Sequence, residues 1–513
     1  MKKALTTSLH SGHWPTLQHA VTMKRNASQM RSEKRFSASV QLTPEGCIQT
    51  MSVDAAKLLS SFGIGGMQKR KISTMTIDPN LKIPRGSVVL LTGPSGSGKT
   101  QSLELMLSRM ACELDITPAP ELDKTRPIID LFGCDQNGIA LIAAVGLADA
   151  STFGRTLDEL SVGQAARAEL GLALLSDREL IVIDEYLAHL DRPTAKAVAW
   201  ASQRAVRKRG KTAIFITAHD DLIDYLQPDF HFVAGWSDQT EAEQREAVAG
   251  RCDLIDQVTI GRGTTADWLQ LKPLHYAAGN PATVHSVWSA FHPEIKGPAG
   301  VIVCSYPDLH SAARNLATDS KYQNVKDRRV ATVLNREVVK VSRIVICPQL
   351  RGIGLAGEML ELVVSQVGAR YVECVTSMSR WSRFLERVGF REVPQTCHPI
   401  EAELMDWASR ERPPAGAHLD GGHLLEWIDS LSVRKRRNAR RLVWNYYFHF
   451  VLHRRTKTQR PKNVPNPDAP GWEEAADLAA RRLIERPSYW IIGPIDPITG
   501  LPETVQNDAV EVA

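Results

Sequence analysis

The 513-residue sequence lacks any uninterrupted apolar run near the ~18–20 residues that cross a bilayer, which excludes a transmembrane helix. Its eight cysteines are scattered and lack both a Cys-x-x-Cys pair and a zinc-like spacing, so reduced thiols in a cytoplasmic protein are the simplest interpretation. The first 40 residues contain one acidic residue, Glu33, against seven lysines and arginines. No apolar segment follows them, so we interpret residues 1–55 as a flexible basic arm and not as a secretory signal.

The composition as a whole also lacks the signature of a disordered chain. Hydrophobic residues make up 43% of the sequence and charged residues 23%, which is ordinary for a globular protein. The net charge of +5 is too small over this length to indicate a partner by itself. At a prior of roughly 150 residues per domain, the length allows about three domains.

A phosphate-binding loop is the clearest positive feature of the sequence. An apolar run over 86–92 leads into residues 93–100, GPSGSGKT, and then into a helix, which is the context that the G-x-x-x-x-G-K-[ST] spacing needs. Its glycines let successive backbone N–H groups surround phosphate oxygens, and the helix adds its positive end. Lys99 is expected to reach the β- and γ-phosphates and Thr100 to bind Mg²⁺. The predicted cradle consists of Gly93, Pro94, Ser95, Gly96, Ser97, Gly98, Lys99 and Thr100.

Two later strands end in polar residues suited to phosphate chemistry. The first, 180–183, is followed by Asp184, the expected Mg²⁺-side carboxylate, and by Glu185, which is placed to polarise an attacking water. The second, 212–217, is followed closely by His219. Between the phosphate loop and these strands, Leu160-Ser-Val-Gly-Gln164 opens an Ala/Leu-rich helix whose positive end can receive an anion.

In this order the segments resemble the Walker A, LSGGQ-like signature, Walker B, D-loop (Leu190-Asp191) and switch histidine of the ABC-type ATPases. The resemblance covers roughly residues 70–235, within a predicted domain over 56–245. It implies ATP and Mg²⁺ as ligands, with Thr100 and Asp184 at the metal and Glu185 and His219 as catalytic residues. Gln136 is the candidate for the Q-loop residue of that family.

The same resemblance implies a head-to-tail homodimer. In ABC-type ATPases, the signature of one protomer closes on the nucleotide held by the other. Ser161, Gly163 and Gln164 are therefore expected to act in trans on the partner's ATP. Val162 stands where the family has the first signature glycine, so this contact departs from the usual pattern.

A second anion-binding pattern lies in the C-terminal half. A long β-branched run over 338–346 leads into Gln349-Leu-Arg-Gly-Ile-Gly-Leu-Ala356 at a predicted helix start, where backbone donors and the helix dipole can hold an anion. Residues 236–262 are polar and are interpreted as a linker or an excursion. Further strands are predicted at 71–77, 283–290, 299–304, 330–334 and 370–375.

The runs 349–356 and 384–390 resemble the pyrophosphate-binding and closing motifs of the GNAT acyltransferases. The resemblance implies a domain over 263–398 with acetyl-CoA or a related acyl-CoA as cofactor. Leu385 occupies the position of the usual tyrosine acid, which leaves the acid/base group open. Its candidates are Glu373, His275, Tyr276 and Tyr306, each of which has a structural alternative as a packed, paired or surface residue. The cofactor-binding residues implied are Arg351, Gly352, Ile353, Gly354, Leu355 and Ala356.

The region 399–513 contains the most basic stretch of the chain. Residues 431–465 carry eleven lysines and arginines, no acidic residue, and five aromatic residues between the two basic clusters. Cations neutralise phosphates and aromatic faces stack on unpaired bases, so the stretch predicts a nucleic-acid partner. The alternative is an amphipathic helix whose aromatics are core and whose arginines face water. A further helix is predicted over 472–485.

The sequence therefore predicts an α/β protein with an ABC-type P-loop ATPase domain, a GNAT-like α+β domain and a basic C-terminal region. Its predicted function is ATP hydrolysis coupled to acyl-CoA-dependent N-acyl transfer onto nucleic acid, such as a DNA base. Residues 268–276 and 341–345 loosely resemble GNAT-fold Mom-type proteins, which modify adenine in phage DNA. One alternative is a nucleic-acid- or ribosome-associated ABC ATPase whose second domain acetylates protein or is inert. Another, an energising subunit for a separate permease, needs neither the second domain nor the arginines.

Overall fold

The computed structural model of the chain comprises two compact units. The first comprises 1–280, 287–302 and 344–359, and the second comprises 281–286, 303–343 and 360–513. No helix among the described residues is both long and apolar enough to span a membrane. The structure describes residues 39–41, 52–54, 57, 61, 69–71, 83–110, 123–234, 241–245, 252–275, 279–281, 283–378, 383–395, 397–452, 471–483 and 487–494.

Strands and helices alternate along most of the described chain. The strands are β1 Ser39–Gln41, β2 Lys69–Lys71, β3 Val88–Thr92, β4 Leu180–Ile183, β5 Thr212–Ile216, β6 Phe230–Val233, β7 Glu241–Gln244, β8 Thr259–Arg262, β9 Val284–Phe291, β10 Pro298–Ser305, β11 Val338–Ile346, β12 Tyr371–Thr376, β13 Arg391–Val393 and β14 Ser488–Ile492. The helices are α1 Lys99–Met110, α2 Ile128–Phe132, α3 Gln136–Ala144, α4 Ala150–Phe153, α5 Val162–Leu175, α6 Arg192–Lys208, α7 Ile223–Leu226, α8 Asp253–Asp256, α9 Thr265–Leu271, α10 Ala312–Ala317, α11 Arg328–Glu337, α12 Leu355–Gln366, α13 Phe384–Val388, α14 Pro399–Glu411, α15 Ala415–Leu419, α16 Gly421–Ser430, α17 Val433–Tyr447 and α18 Trp472–Leu483.

The first unit contains a five-stranded sheet in the order β4-β5-β3-β6-β7. Strands β4, β5, β3 and β6 are parallel, and β7 pairs antiparallel with β6 at the edge. Val88 and Leu90 pack into the core on one face of β3, and Val89 and Leu91 into the core on the other. Burial on both faces explains the continuous apolar runs that predicted these strands. The predicted α/β character of this part of the chain is confirmed.

The second sheet has seven strands in the order β13-β14-β12-β11-β10-β9-β8. Within the first unit, β8 pairs antiparallel with residues 288–291 of β9. Within the second unit, β11 pairs parallel with β12, and β14 lies antiparallel between β12 and β13. Strand β14 comes from the region predicted as a separate basic C-terminus, so this sheet extends beyond residue 398.

One prediction about local structure was wrong, and one open alternative was decided. Residues 330–334 belong to helix α11, because Val330, Val333 and Leu334 recur at the i, i+3, i+4 spacing of one helix face and Leu334 is buried. The segment 236–262 is not a simple linker, since it contains β7, α8 and β8. In both segments, pairing and packing with other parts of the chain determine the secondary structure, because short local patterns are compatible with more than one state.

Helices of the second unit form a separate apolar core. Trp407 of α14, Leu424 of α16, Trp444 of α17 and Ala479 of α18 are all buried in it. The basic stretch identified in the sequence therefore begins on a helix that is half embedded in this core. This placement determines which of its side chains can reach a partner.

Candidate nucleotide-binding site

The phosphate loop lies between the carboxyl end of β3 and the start of α1. Gly93 has a φ of 148°, and a Cβ at this position would lie 2.3 Å from the carbonyl oxygen of Ala234. Only glycine fits here, because the residue after β6 closes on the loop. The Lys99 ammonium folds over the loop and donates hydrogen bonds to the carbonyl oxygens of Gly93 (2.8 Å) and Pro94 (2.9 Å).

Several features of the loop fit a bound phosphate. Gly96 and Gly98 have positive φ values of 79° and 84°, which turn the backbone around the loop. The Ser97 hydroxyl is buried and has no hydrogen-bond partner among the described residues. A buried hydroxyl without a partner is costly, so an acceptor such as a phosphate oxygen would satisfy it. Burial lowers the pKa of Lys99, and the charges of Asp184 and Glu185 oppose this shift.

Asp184 and Glu185 follow β4 directly. The Glu185 backbone N–H donates to Asp184 Oδ1 at 2.8 Å, which fixes the aspartate against its own chain. Glu185 has a φ of 50°, in the left-handed region, and its side chain is 78% exposed. Such a backbone conformation in a residue other than glycine is characteristic of functional turns. The sequence did not single out His189, whose Nε2 lies 3.9 Å from Glu185 Oε2.

His219 lies just beyond β5, the strand between β3 and β4. Its backbone N–H donates to the buried Thr217 hydroxyl at 3.3 Å, and its side chain is half-buried. Because the carboxyl ends of parallel strands meet at one edge of a sheet, the phosphate loop, Asp184, Glu185 and His219 share that edge. Gln136, the Q-loop candidate, is the exposed first residue of α3.

The signature residues lie at the start of α5. The Ser161 hydroxyl accepts from the Gln164 backbone N–H, and the Gln164 side chain accepts from the Ser161 backbone N–H, which forms a capping box. A Cβ on Gly163 would lie 2.8 Å from Leu190 Cδ2, so this glycine allows the helix start to pack on the D-loop. Val162, at the position of the missing glycine, is 69% exposed. Among the described residues, no hydrogen bond or ion pair joins these residues to the phosphate loop of the same chain, and their action in trans stays a prediction.

The loop predicted to hold acyl-CoA has the expected backbone. Gly352 and Gly354 have positive φ values, and α12 begins at Leu355. Its surroundings differ from the prediction, because a Cβ on Gly352 would lie 2.9 Å from the carbonyl oxygen of Ala143 in α3. The Arg351 guanidinium is largely buried; its Nε donates to the Ile346 carbonyl oxygen, and its Nη1 lies 3.8 Å from Asp149.

Several other residues of the predicted acyl-CoA motif, and one of the predicted acid/base residues, have structural roles. Ile353 and Leu355 are buried, and Leu385 is buried within α13. Glu373 pairs with Arg314, which agrees with the structural alternative given for it above. Tyr306 is partly exposed and makes an edge contact with the His285 ring. Tyr276 lies outside the described residues.

The structure corrects two predictions about the basic stretch 431–465. Trp444, Tyr446, Tyr447 and Phe448 are buried in the core of the second unit, so they cannot stack on bases. Three of the cations on α17 are also paired with acidic residues from other parts of the chain, which the sequence treated as unopposed. These pairs are Lys435 with Glu411, Arg440 with Asp429 and Arg441 with Glu403. The second basic cluster, 454–462, and most of the basic arm lie outside the described residues.

No protein-family model matches the chain. The spermidine/putrescine import ATP-binding protein PotA of Borreliella afzelii is 26% identical over 173 residues, which cover 28% of this chain and 49% of PotA. The ribosome protection protein VmlR of Bacillus subtilis is 23% identical over 203 residues, covering 34% and 37%. The ABC transporter ATP-binding protein YtrE of Bacillus subtilis is 25% identical over 208 residues, covering 33% and 90%.

The chain thus spans about half of PotA and about a third of VmlR. A solved ATP-binding cassette of an ABC transporter is 17% identical, has a TM-score of 0.26, and covers 32% of this chain and 83% of the solved chain. A TM-score this low adds no support, so the assignment rests on the motifs, the parallel sheet and the curated relatives. On these grounds, the chain contains an ABC-type ATPase domain.

Proposed function

We propose that this chain binds and hydrolyses ATP with Mg²⁺, and that a second copy of the chain completes each site. The observation that supports this most strongly is the edge of the parallel sheet where the phosphate loop, Asp184, Glu185 and His219 lie. The unpaired Ser97 hydroxyl and the positive-φ glycines there suit phosphate oxygens. Similarity to ABC-type ATP-binding proteins supports the same activity.

Each residue of the edge has a distinct role in this proposal. Lys99 exchanges the carbonyl oxygens of Gly93 and Pro94 for β- and γ-phosphate oxygens. Thr100 and Asp184 hold Mg²⁺, which neutralises phosphate charge when bound. Glu185, projecting into solvent, accepts a proton from the attacking water, and His219 stabilises the charge that develops on the phosphate.

The signature helix supplies the dimer contact. The start of α5 projects an exposed Val162 and carries the positive end of a 14-residue helix. In a head-to-tail dimer this end would face the γ-phosphate held by the partner. Ser161 would then exchange its capping bond to Gln164 for a phosphate oxygen, with Gly163 keeping the backbone close.

The test is Glu185→Gln, which preserves size and removes the proton acceptor. We expect ATP to bind normally, phosphate release to fall by about 10²-fold or more, and an ATP-dependent dimer to accumulate in size-exclusion chromatography with light scattering. Glu179→Gln is the matched control, because Glu179 is exposed, lies one residue before β4 and forms an ion pair with Arg85 at the surface. A Glu185→Gln protein that releases phosphate at the parental rate would disprove the assignment.

We also propose a nucleic-acid partner, contacted through phosphates and not through bases. Arg434, Arg437 and Arg441 share the outer face of α17 at i, i+3 and i+7 spacing. Arg434 and Arg437 are exposed and have no ion pair among the described residues. The similarity to a ribosome protection protein favours ribosomal RNA over DNA as this partner.

This partner is tested by fluorescence anisotropy with structured RNA and duplex DNA between 50 and 200 mM salt. The double variant Arg434→Gln/Arg437→Gln should weaken binding and reduce the slope of log affinity against log salt by about 2, since each phosphate contact contributes about 0.9. The control Lys124→Gln/Arg126→Gln removes the same charge from two exposed positions. Equal slopes in the two variants would exclude α17 as the contact.

Acyl-CoA binding by residues 351–356, acyl transfer, base modification and a cytoplasmic location remain predictions from the sequence. The glycine backbone and the start of α12 favour an anion at this loop. The packing of Gly352 and Arg351 disfavours it, because a pyrophosphate would need the space that α3 and Asp149 fill.

A further inference from the structure

A small cavity in the second unit is lined by polar residues that the proposed ATPase does not use. Its volume is about 230 Å³, which is below the ~300–1,000 Å³ of typical ligand pockets and suits a group of few atoms. Four separate parts of the chain meet around it: the loop before α10, strand β12, the segment after β13 and strand β14. The residues that matter to its chemistry are Asp308, Ser311, Glu373, Val375, Gln395 and Tyr489.

The floor of the cavity is a rigid network of buried groups. Glu373 and Arg314 are each 1% exposed, and the guanidinium donates from Nε and Nη2 to the two carboxylate oxygens at 2.8 Å. The Tyr489 hydroxyl also donates to Glu373 Oε2, at 2.5 Å. Burial and the neighbouring Glu373 charge raise the pKa of Tyr489 above its ordinary value, so the hydroxyl keeps its proton. The positions of these oxygens are therefore fixed before any ligand arrives.

Two carboxylates line the cavity, and the cations that pair with them are not among its lining residues. Asp308 and Glu373 both line it, but their partners Lys340 and Arg314 do not. Gln395 donates its amide group to the Pro487 carbonyl oxygen at 2.7 Å, which leaves its own carbonyl oxygen for another donor. His310 also lines the wall. A ligand head that donates hydrogen bonds and carries positive charge matches this set of groups.

The remaining wall is apolar. Val375 is 42% exposed at the end of β12, and two alanines of α10 contribute methyl groups. This combination of acceptors at one side and aliphatic carbons at the other suits a charged head on a short alkyl chain. We propose that the cavity binds a primary alkylammonium group, supplied either by a free small amine or by a lysine side chain.

The experiment uses the full chain and n-butylammonium as probe, with 1-butanol as the neutral probe of similar shape, in calorimetric titrations. Asp308→Asn is the informative variant, since Asp308 is 67% exposed and its ion-pair partner Lys340, at 22% exposed, still reaches solvent. We expect n-butylammonium to bind, 1-butanol not to bind, and Asp308→Asn to weaken the ammonium by about tenfold, as for loss of a charge-assisted hydrogen bond. Glu361→Gln, an exposed acidic position on α12 that does not line the cavity, is the matched control and should bind as the parent does.

A second titration separates the two sources of the group. Nα-acetyl-lysine amide and its uncharged analogue Nα-acetyl-norleucine amide are compared at equal concentrations. Binding of the lysine amide with the same Asp308 dependence supports a protein side chain as occupant, and binding of the free amine alone supports a small amine. Equal binding of n-butylammonium to the parent and to Asp308→Asn, or binding of 1-butanol as tight as that of the ammonium, would overturn the proposal. These titrations do not measure phosphate release. The alkylammonium proposal is therefore tested independently of the ATPase proposal.

Discussion

Two glycines flank β3, and they differ in why glycine is needed. One requires only an unusual backbone conformation, and the other also leaves no room for a side chain. Gly86 and Gly93 both have positive φ values, of 86° and 148°. A Cβ on Gly86 would meet no atom within 4 Å, whereas a Cβ on Gly93 would overlap the Ala234 carbonyl oxygen. The phosphate loop therefore depends on a close approach between two chain segments as well as on a flexible residue.

At this scale the prediction compares Gly93→Ala with Gly86→Ala. Gly86→Ala should cost about 1–2 kcal/mol, the usual penalty for a left-handed alanine. Gly93→Ala adds overpacking of about 1–3 kcal/mol and should also weaken ATP binding, because the loop must move away from Ala234. Urea titration gives the stability change and fluorescent-nucleotide titration the affinity. Equal costs for the two variants would show that the approach of Ala234 is not a constraint.

Among the elements, the start of α5 shows how a signature residue serves local packing as well as the proposed trans contact. Gly163 lies against Leu190, and the Gly163 carbonyl oxygen accepts from Arg167 Nε at 3.1 Å. The following residue of the D-loop, Asp191, caps α6 by accepting from Thr194. The start of α5 therefore packs directly on the D-loop, so a larger residue at Gly163 would push against Leu190.

The corresponding prediction is for Gly163→Ala. The overlap is with the far end of the flexible Leu190 side chain, so stability should change by less than about 1 kcal/mol, similar to the difference in helix propensity. Phosphate release should nevertheless fall several-fold, because the Leu190 side chain of the D-loop must move. Gly154→Ala is the control, as a Cβ there would contact nothing within 4 Å. Unchanged phosphate release in Gly163→Ala would separate this packing from turnover.

For the whole molecule, the second sheet shows that distant segments build one layer. Strand β14 pairs with β12 in the register Glu373↔Ile491 and with β13 in the register Arg391↔Ile491. Tyr489 of the same strand reaches Glu373 across 116 positions of the sequence. The C-terminal segment is therefore an integral part of the fold that the sequence assigned to residues 263–398.

Two neighbouring isoleucines of β14 test whether this strand contributes to the stability of the sheet. Ile491 is fully buried, and Ile491→Ala should cost about 2–5 kcal/mol through lost burial and a cavity. Ile492 is half-buried, and Ile492→Ala should cost less than about 2 kcal/mol because solvent already reaches part of it. Thermal and urea unfolding followed by tryptophan fluorescence give both values. Equal small losses would mean that β14 is not required for the stability of the sheet.

The sequence alone determined the features whose residues are contiguous. The phosphate loop, the strand ending in Asp184 and Glu185, and the capped start of α5 depend on short-range geometry, and their elements were confirmed at β3, α1, β4 and α5. The same holds for the long strand β11 and for helix α18. Local hydrogen bonding and continuous apolar runs were sufficient in these segments, because each element forms from neighbours in the chain.

Which groups are available to a ligand depends on contacts that the chain makes only once it is folded. Burial turned the aromatics of α17 from stacking candidates into core, and acids from α14 and α16 paired with its cations. Glu373 became the centre of a network with Arg314 and Tyr489, which lie 59 and 116 positions away in the sequence. The physical reason is that burial, pairing and cavity formation depend on contacts between distant segments, and a single sequence does not specify those distances.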